Sequence, residues 1–282
     1  MHPTKSQLLF ILIILSLSHS VLGQSTKLMS FNIRYDNQWD IENNWMLRRD
    51  KITKLINRYQ PSIVATQEAL SNQVNFLDST LSNYSYIGIG RENGEQKGEF
   101  CAIFYNPAKY KVIKQATFWL SETPDTVSVG WDAALERICT YALFENINTK
   151  EQVYIFNAHF DHQGKVAQEN SARLILKKIE AINKDYLPVV LMGDLNVTPE
   201  EKTITILKEE LTDAITLSSS PFYGPKGTFN AFKNEPVTSR IDYCFVKNIK
   251  VLSYSHIDDR LDNNKHISDH YPVLVEIGTI KK

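Results

Sequence analysis

Asn32, the pair Gln67-Glu68, His159, the pair Asp194 and Asn196, and Asp269-His270 are spread over a chain of 282 residues, each beside an apolar run. Carboxylate and amide oxygens bind hard divalent cations such as Mg2+ or Mn2+, a carboxylate can take a proton from water, and an imidazole can hold or protonate a phosphate. The set as a whole supplies what metal-assisted hydrolysis of a phosphoester requires. No member does so alone.

Taken singly, each residue also has a plainer reading. Glu68 follows the apolar run 62–66, where a buried carboxylate needs a cation or donors, although a surface glutamate starting a helix needs neither. Asn32 by itself is a turn residue, and at a strand end its amide can also support a metal-bound water or a phosphate oxygen. In Gly193-Asp194-Leu195-Asn196 the glycine permits a tight exit from a sheet. Residues 194 and 196 then share one side while the chain stays extended, so the pair can accept a proton from water and donate to a phosphate oxygen. An Asx-rich turn before the helix signal Thr198-Pro199-Glu200-Glu201 is the equal alternative. Asp269 and His270 precede the apolar run 271–275, and since neighbouring strand residues face opposite ways, an irregular approach is needed for both to reach one site. His159-Phe160-Asp161-His162 invites zinc, but the oxygen donors elsewhere favour magnesium or manganese, which leaves Asp161 and His162 as supports. Asp242 is an acid inside a strand-like run, best partnered by an imidazole that it orients. His256 and His266 read as structural.

The elements that must position these groups alternate along the chain. Residues 25–33 form a strand pattern, and Ile52, Leu55, Ile56 and Tyr59 follow the spacing of a helix buried on one face, stopped by Pro61. A short strand at 62–66 leads into Glu68, and a polar helix follows from Ser71. Strand patterns recur at 99–105, 113–120, 137–144, 153–158, 188–192, 241–246, 251–254 and 271–275; a second amphipathic helix carries Ala172, Ile175, Leu176, Ile179 and Ile182. So many strands without intervening helices exclude a regular βαβ series and predict a layered sandwich of mixed sheets covered by helices. No linker, low-complexity tract or repeat divides the chain.

Composition narrows the setting. With 43% hydrophobic and 22% charged residues, the chain is an ordinary globular one. Lys5, the eight apolar residues 8–15 and Val21-Leu22-Gly23 predict a signal peptide over 1–23, since that run is far short of the roughly 20 residues that span a bilayer. The expectation is a mature monomeric chain of 24–282, secreted or periplasmic, without a transmembrane segment. Cys101, Cys139 and Cys244 lie in apolar runs and read as buried free thiols. Removing Lys5 leaves 30 basic against 32 acidic residues, a balance that disfavours a long polyanion as partner. A groove of Arg48, Arg49, Arg91, Lys97 and Arg137 could still hold nucleic acid, and Trp39, Trp45, Trp119 and Trp131 could stack on a base or sugar or simply pack.

In this order the motifs resemble the endonuclease/exonuclease/phosphatase superfamily, over about 27–275. The runs Gly88-Ile89-Gly90-Arg91, Glu99 to Tyr105, Phe118 to Pro124 and Trp131 to Ala134 look like an exported bacterial branch of it. The resemblance implies an α/β fold, a four-layer sandwich of two mixed β-sheets flanked by helices as in deoxyribonuclease I, with the active site at one edge. It implies that Asn32, Glu68 and Asp269 lie on the metal side. Asp194 and Asn196 would activate water and position phosphate, and His270 would be oriented by Asp242. His159 would be a second imidazole paired with Glu99, while Arg137 and Asn32 would contact phosphate. The implied activity is a Mg2+- or Mn2+-dependent phosphodiesterase using in-line attack of water. A secreted nuclease, or an inactive phosphate-binding module of the same fold, is the alternative.

Overall fold

The computed structural model describes residues 25–278, so the signal peptide expected over 1–23 lies outside the described residues. One sheet contains β1 (Thr26–Asn32), β2 (Ile63–Gln67), β3 (Ser85–Ile87), β4 (Ile103–Tyr105), β11 (Val251–His256) and β12 (Val273–Ile277), in the order β11-β12-β1-β2-β4-β3. The other contains β5 (Tyr110–Trp119), β6 (Ile138–Asn146), β7 (Gln152–His159), β8 (Val189–Asp194), β9 (Thr212–Asp213) and β10 (Asp242–Lys247), in the order β5-β6-β7-β8-β10-β9. Each sheet has one parallel pair at its middle, β1/β2 and β7/β8, and antiparallel neighbours outside it. Helices α1 (Trp45–Tyr59) and α2 (Ser71–Thr80) cover the first sheet; α3 (Lys165–Ile182) and α4 (Lys202–Leu207) cover the second. The four-layer α/β sandwich expected from the motifs is the fold. Among the described residues no helix is long and apolar enough to cross a membrane.

The period-two alternation of the central strands decides which side chains meet between the sheets. Leu28 of β1, Ile63 and Ala65 of β2, Val153 and Ile155 of β7, Val190 and Met192 of β8 and Cys244 and Val246 of β10 share the inter-sheet core. Met29, Phe31 and Val64 face α1 and α2, and Val189 and Leu191 face α3 and α4. Following the inward parity to the strand ends reaches Asn32, His159 and Asp194, and Asp242 at the start of β10. The apolar filling stops there: Gln67 donates to Asn157 Oδ1 at 2.7 Å across the sheets, and Asn157 donates to the carbonyls of Thr66 and Ala102. Those bonds pair both amide nitrogens and the Asn157 oxygen, groups that would each cost about 1–3 kcal/mol if buried unpaired, while Gln67 Oε1 is buried without a partner.

Local signals fix the ends of the helices. Asn44 caps α1 by accepting from Leu47 N, a contact typically worth about 1 kcal/mol, and Gln60 closes it in a left-handed conformation just before Pro61. The strand expected over 99–105 is shorter, because Phe100 makes only isolated bridges to Ala69 and Gly90 before β4 begins. β3 and β9 have no strong sequence pattern; each is a short edge strand of two or three residues. All three cysteines are buried and unpaired, and burial pushes the Cys101 thiol up to about 12.

Candidate active site

The strand register brings distant motifs side by side. His159 pairs with Asp194 across the parallel β7/β8 ladder, and Asp242 pairs with Asp194 across β8/β10. Gly193 is required for that register: at φ +150 its absent Cβ would stand 1.9 Å from the Ala158 carbonyl. From the other sheet, Asn32 donates through Nδ2 to Glu68 Oε1 and to Asp194 Oδ2, both at 2.9 Å. This one amide ties together the ends of β1, β2 and β8.

Three residues reach the site by leaving strand geometry. Parity would turn Glu68 towards α1 and α2, but a left-handed φ of 65 brings it back to accept from Asn32 and from Tyr35 N. Asn196 does not share a side with Asp194 through an extended chain, as the sequence suggested. Its φ is 53, and its backbone N–H donates to Asp194 Oδ1 at 3.0 Å. Asp269 and His270 precede β12 in an irregular segment, which lets both face the site as the alternation argument requires. His270 Nδ1 lies 2.8 Å from Asp242 Oδ2, and its Nε2 lies 3.7 Å from Asp194 Oδ2.

The two imidazoles differ in charge. Asn196 Nδ2 is anchored as a donor by the Phe160 carbonyl and also lies 3.1 Å from His159 Nε2, so that nitrogen accepts and cannot carry a proton. Burial and then the nearby Arg137 charge lower His159 to about 3, against the opposing pull of Asp194 and Glu68. Burial also works against a charge on His270, but Asp242 and Asp194 outweigh it and hold this ring well above the ordinary histidine value. Burial and the neighbouring Asp242 push the Asp194 carboxyl up. His159 Nδ1 is 3.6 Å from Glu99 Oε2, the pairing expected, and Glu99 is fixed by a two-pronged bond from Arg91 at 2.7 and 2.9 Å.

Other expectations change. Asn32 Oδ1 accepts from Arg34 N at 3.0 Å, which leaves the amide nitrogen facing the carboxylates as the donor that gathers Glu68 and Asp194. Glu68, His159 and Asp194 form one group of donors with ligand atoms within 4.8 Å of one another. A second such group is Asp194, Asp242 and His270. Arg137 is buried, with Nε on Asp161 and Nη2 against His162 Nδ1, so two of its three nitrogens are already taken. The groove of basic residues is not formed: Arg48 is fully buried and donates to the carbonyls of Asn43, Ile33 and Ile267, and Arg91 is committed to Glu99. Trp45 and Trp119 pack in the core, whereas Trp39 is exposed. His256 and His266 are structural, bonded to the Pro225 and Lys233 carbonyls.

Arg34 is the group that sequence reasoning missed. Its guanidinium lies 3.6 Å from Asp269 and 4.0 Å from Glu68, and Asp40 holds it at 2.8 Å. The signal was present, since Arg34 stands two residues after Asn32 at the exit of β1, but an arginine in a polar loop ordinarily faces water.

A two-sheet sandwich whose edge gathers buried carboxylates, amides and a His–Asp pair defines a phosphoesterase of the deoxyribonuclease I-like class. A family model described as Endonuclease/Exonuclease/phosphatase family matches residues 29–270, and the chain belongs to that family. It is similar to an endonuclease/exonuclease/phosphatase family protein from Bacteroides thetaiotaomicron, with 35% identity and a TM-score of 0.87, covering 90% of this chain and 98% of that one. It is also similar to a mannosyl-6-phosphatase of the same organism, with 35% identity and a TM-score of 0.86, covering 89% and 99% of the two chains. Protein L388 of Acanthamoeba polyphaga mimivirus is 28% identical over 88% of this chain and 98% of its own.

Proposed function

We propose that the chain is an exported hydrolase of small phosphoesters that works with a divalent cation, Mg2+ or Mn2+. The observation that carries the reading is the convergence of Asp194, Asn196, Glu68, His159 and the Asp242–His270 pair on one edge, joined by Asn32. The donor chemistry fits a hard cation: Glu68, Asp194, Asp242 and Asp269 crowd a largely buried edge, and Asp242 Oδ1 is buried without a partner. Glu68 would hold the ion, which would polarise a phosphoryl oxygen and offset charge that develops on it.

The chain's own groups supply the rest. Asp194 takes the proton of the attacking water on its carboxylate, and Asn196, pinned by the left-handed turn, fixes that carboxylate through its backbone N–H. His270, charged and held by Asp242, lies where negative charge grows on the phosphoryl group; Asn32 keeps the two carboxylates from separating. His159, neutral and backed by Glu99, accepts from Asn196 Nδ2 and so holds that amide in place beside Asp194.

The sequence favoured a diester. The likeness to a mannosyl-6-phosphatase favours a sugar phosphomonoester instead, and the commitment of Arg48, Arg91 and Arg137 to internal partners argues against a polyanion. A panel of hexose 6-phosphates, bis-p-nitrophenyl phosphate and single-stranded DNA, each with and without chelator, tests this. Turnover is expected on the sugar phosphates and abolished by chelator. His159→Ala and Asp194→Ala should each lower it by about 10²–10⁴-fold with an unchanged circular dichroism spectrum. Activity that survives chelation refutes the cation, and near-normal turnover in either folded variant refutes the scheme.

A further inference from the structure

The ladder that carries the catalytic groups ends at the site itself. Asp242 pairs with Asp194 across β8 and β10, and one more backbone bond, from Leu195 N to the Ile241 carbonyl at 2.8 Å, follows before the left-handed turn at Asn196 takes the two segments out of register. Past that turn the carbonyls of Val197 and Arg240 come together, and two carbonyls cannot bond each other. A donor stands between them: the Tyr243 hydroxyl lies 2.8 Å from the Val197 oxygen and 3.0 Å from the Arg240 oxygen. Among the described residues no other protein donor bonds either carbonyl.

Tyr243 reaches this point from the opposite face of the sheet. Cys244 and Val246 face the inter-sheet core, so Tyr243 and Phe245, one residue out of phase, lie in the layer under α3 and α4, where the two rings stack at 5.5 Å. Tyr243 is fully buried, and the Arg240 guanidinium lies 4.4 Å from its ring centroid, itself held by Asp213 at 2.8 Å.

Resting on the catalytic scheme above, we propose that Tyr243 is a positioning residue of the reaction: its hydroxyl fastens the turn that presents Asp194 and Asn196 to the strand entry that presents Asp242, and through Asp242 it sets where His270 stands. One proton shared by two carbonyls fixes both segments at once. Without it each catalytic group keeps its own segment but the segments shift against each other, and a misplacement of about 1 Å is enough to slow a reaction on the order of 100-fold.

The test compares Tyr243→Phe, which removes the hydroxyl and keeps the ring, with Phe245→Leu, which disturbs the same layer and touches neither carbonyl. Turnover of a hexose 6-phosphate with Mg2+ is measured, and the backbone and side-chain amide signals of Asn196 are followed by NMR of isotope-labelled protein. Tyr243→Phe is expected to shift the Asn196 signals and to lower kcat on the order of 10–100-fold with KM within about twofold of wild type. Phe245→Leu should leave those signals in place and keep kcat within about twofold, although it lowers stability. A folded Tyr243→Phe whose kcat stays within about twofold of wild type, or Asn196 signals that move equally in both variants, would overturn the role of Tyr243. Should Tyr243→Phe not fold, Arg240→Lys decides on the same two readouts, since it keeps the charge beside Asp213 and withdraws the flat group from the ring. If wild type turns over no phosphoester, the catalytic scheme falls and the kinetic part of this inference with it, while the Asn196 signals still report whether the hydroxyl holds the turn.

Discussion

Asp161 offers a quantitative test of how the catalytic edge is held together. Its carboxylate is buried, and one oxygen accepts from Gln163 N at 2.9 Å and Gly164 N at 2.8 Å while the other accepts from Ala134 N at 3.1 Å and Arg137 Nε at 3.3 Å. Burial pushes the carboxyl up, but those N–H groups and the arginine prevail and bring it from 3.8 down to about 2. A folded-state value depressed by nearly two units is worth about 2 kcal/mol at neutral pH. Because the shift is downward, that stability is complete above about pH 4 and is lost as pH falls towards 2, with about 1 kcal/mol gone at pH 3. Asp161→Asn removes the linkage. Whichever way its amide is turned, an NH2 faces two donors, so the variant should be about 3 kcal/mol or more less stable at pH 7. Urea unfolding of both proteins at pH 7 and pH 3 isolates the effect from other titrating groups: the difference between them should shrink by about 1 kcal/mol at the lower pH. A difference that does not change with pH, or one below about 1 kcal/mol at pH 7, would refute this account of Asp161.

Gly193→Ala should push β7 and β8 apart at the Ala158 carbonyl, lowering stability by about 2 kcal/mol and turnover by more than tenfold, as chemical denaturation and steady-state assays would show. Thr228 is buried, and its Oγ1 accepts from both Ile241 N and Asp242 N at 3.0 Å while its carbonyl accepts from Tyr271 N at 2.7 Å, so it joins the Asp242 and His270 segments. Thr228→Val should lower kcat more than it raises KM and cost about 1–3 kcal/mol, with Thr228→Ser recovering kcat; equal losses in the serine variant would show that the methyl, not the hydroxyl, matters.

Much of this edge could be read from the sequence because it follows strand parity. Leu28, Val190, Met192, Ile155 and Cys244 announce the inward face, and Asn32, His159, Asp194 and Asp242 continue it. The α3 face was equally legible, since Ala172, Ile175 and Ile179 are buried as their spacing demands. What escaped was whatever depends on which acceptors a side chain meets once the chain has folded. Arg48, Arg91 and Arg137 look alike as isolated basic residues, yet each is drawn inward by a particular acceptor set: carbonyls for Arg48, Glu99 for Arg91, Asp161 for Arg137. Nothing local distinguishes them from surface arginines such as Arg58, which is mostly exposed. Edge strands β3 and β9 were lost for another reason: two or three residues are too few to establish a period.

The residues that break parity show why the site and the fold depend on each other. Arg34, Glu68 and Asn196 all adopt left-handed backbone at φ 58, 65 and 53, at a cost on the order of 1 kcal/mol each for a residue carrying a Cβ. In each case the offsetting bond is made inside the site: Arg34 N to Asn32 Oδ1, the Glu68 carboxylate to Asn32 Nδ2 and Tyr35 N, and Asn196 N to Asp194 Oδ1. Glycine would remove the backbone cost at all three positions, but it would also remove the guanidinium, the carboxylate and the amide that the turns exist to present. Two of the three offsetting contacts converge on Asn32, a single uncharged amide at the end of β1. Losing Asn32 would release the Arg34 and Glu68 turns as well as the link to Asp194, so its contribution to the site should exceed that of any one bond it makes.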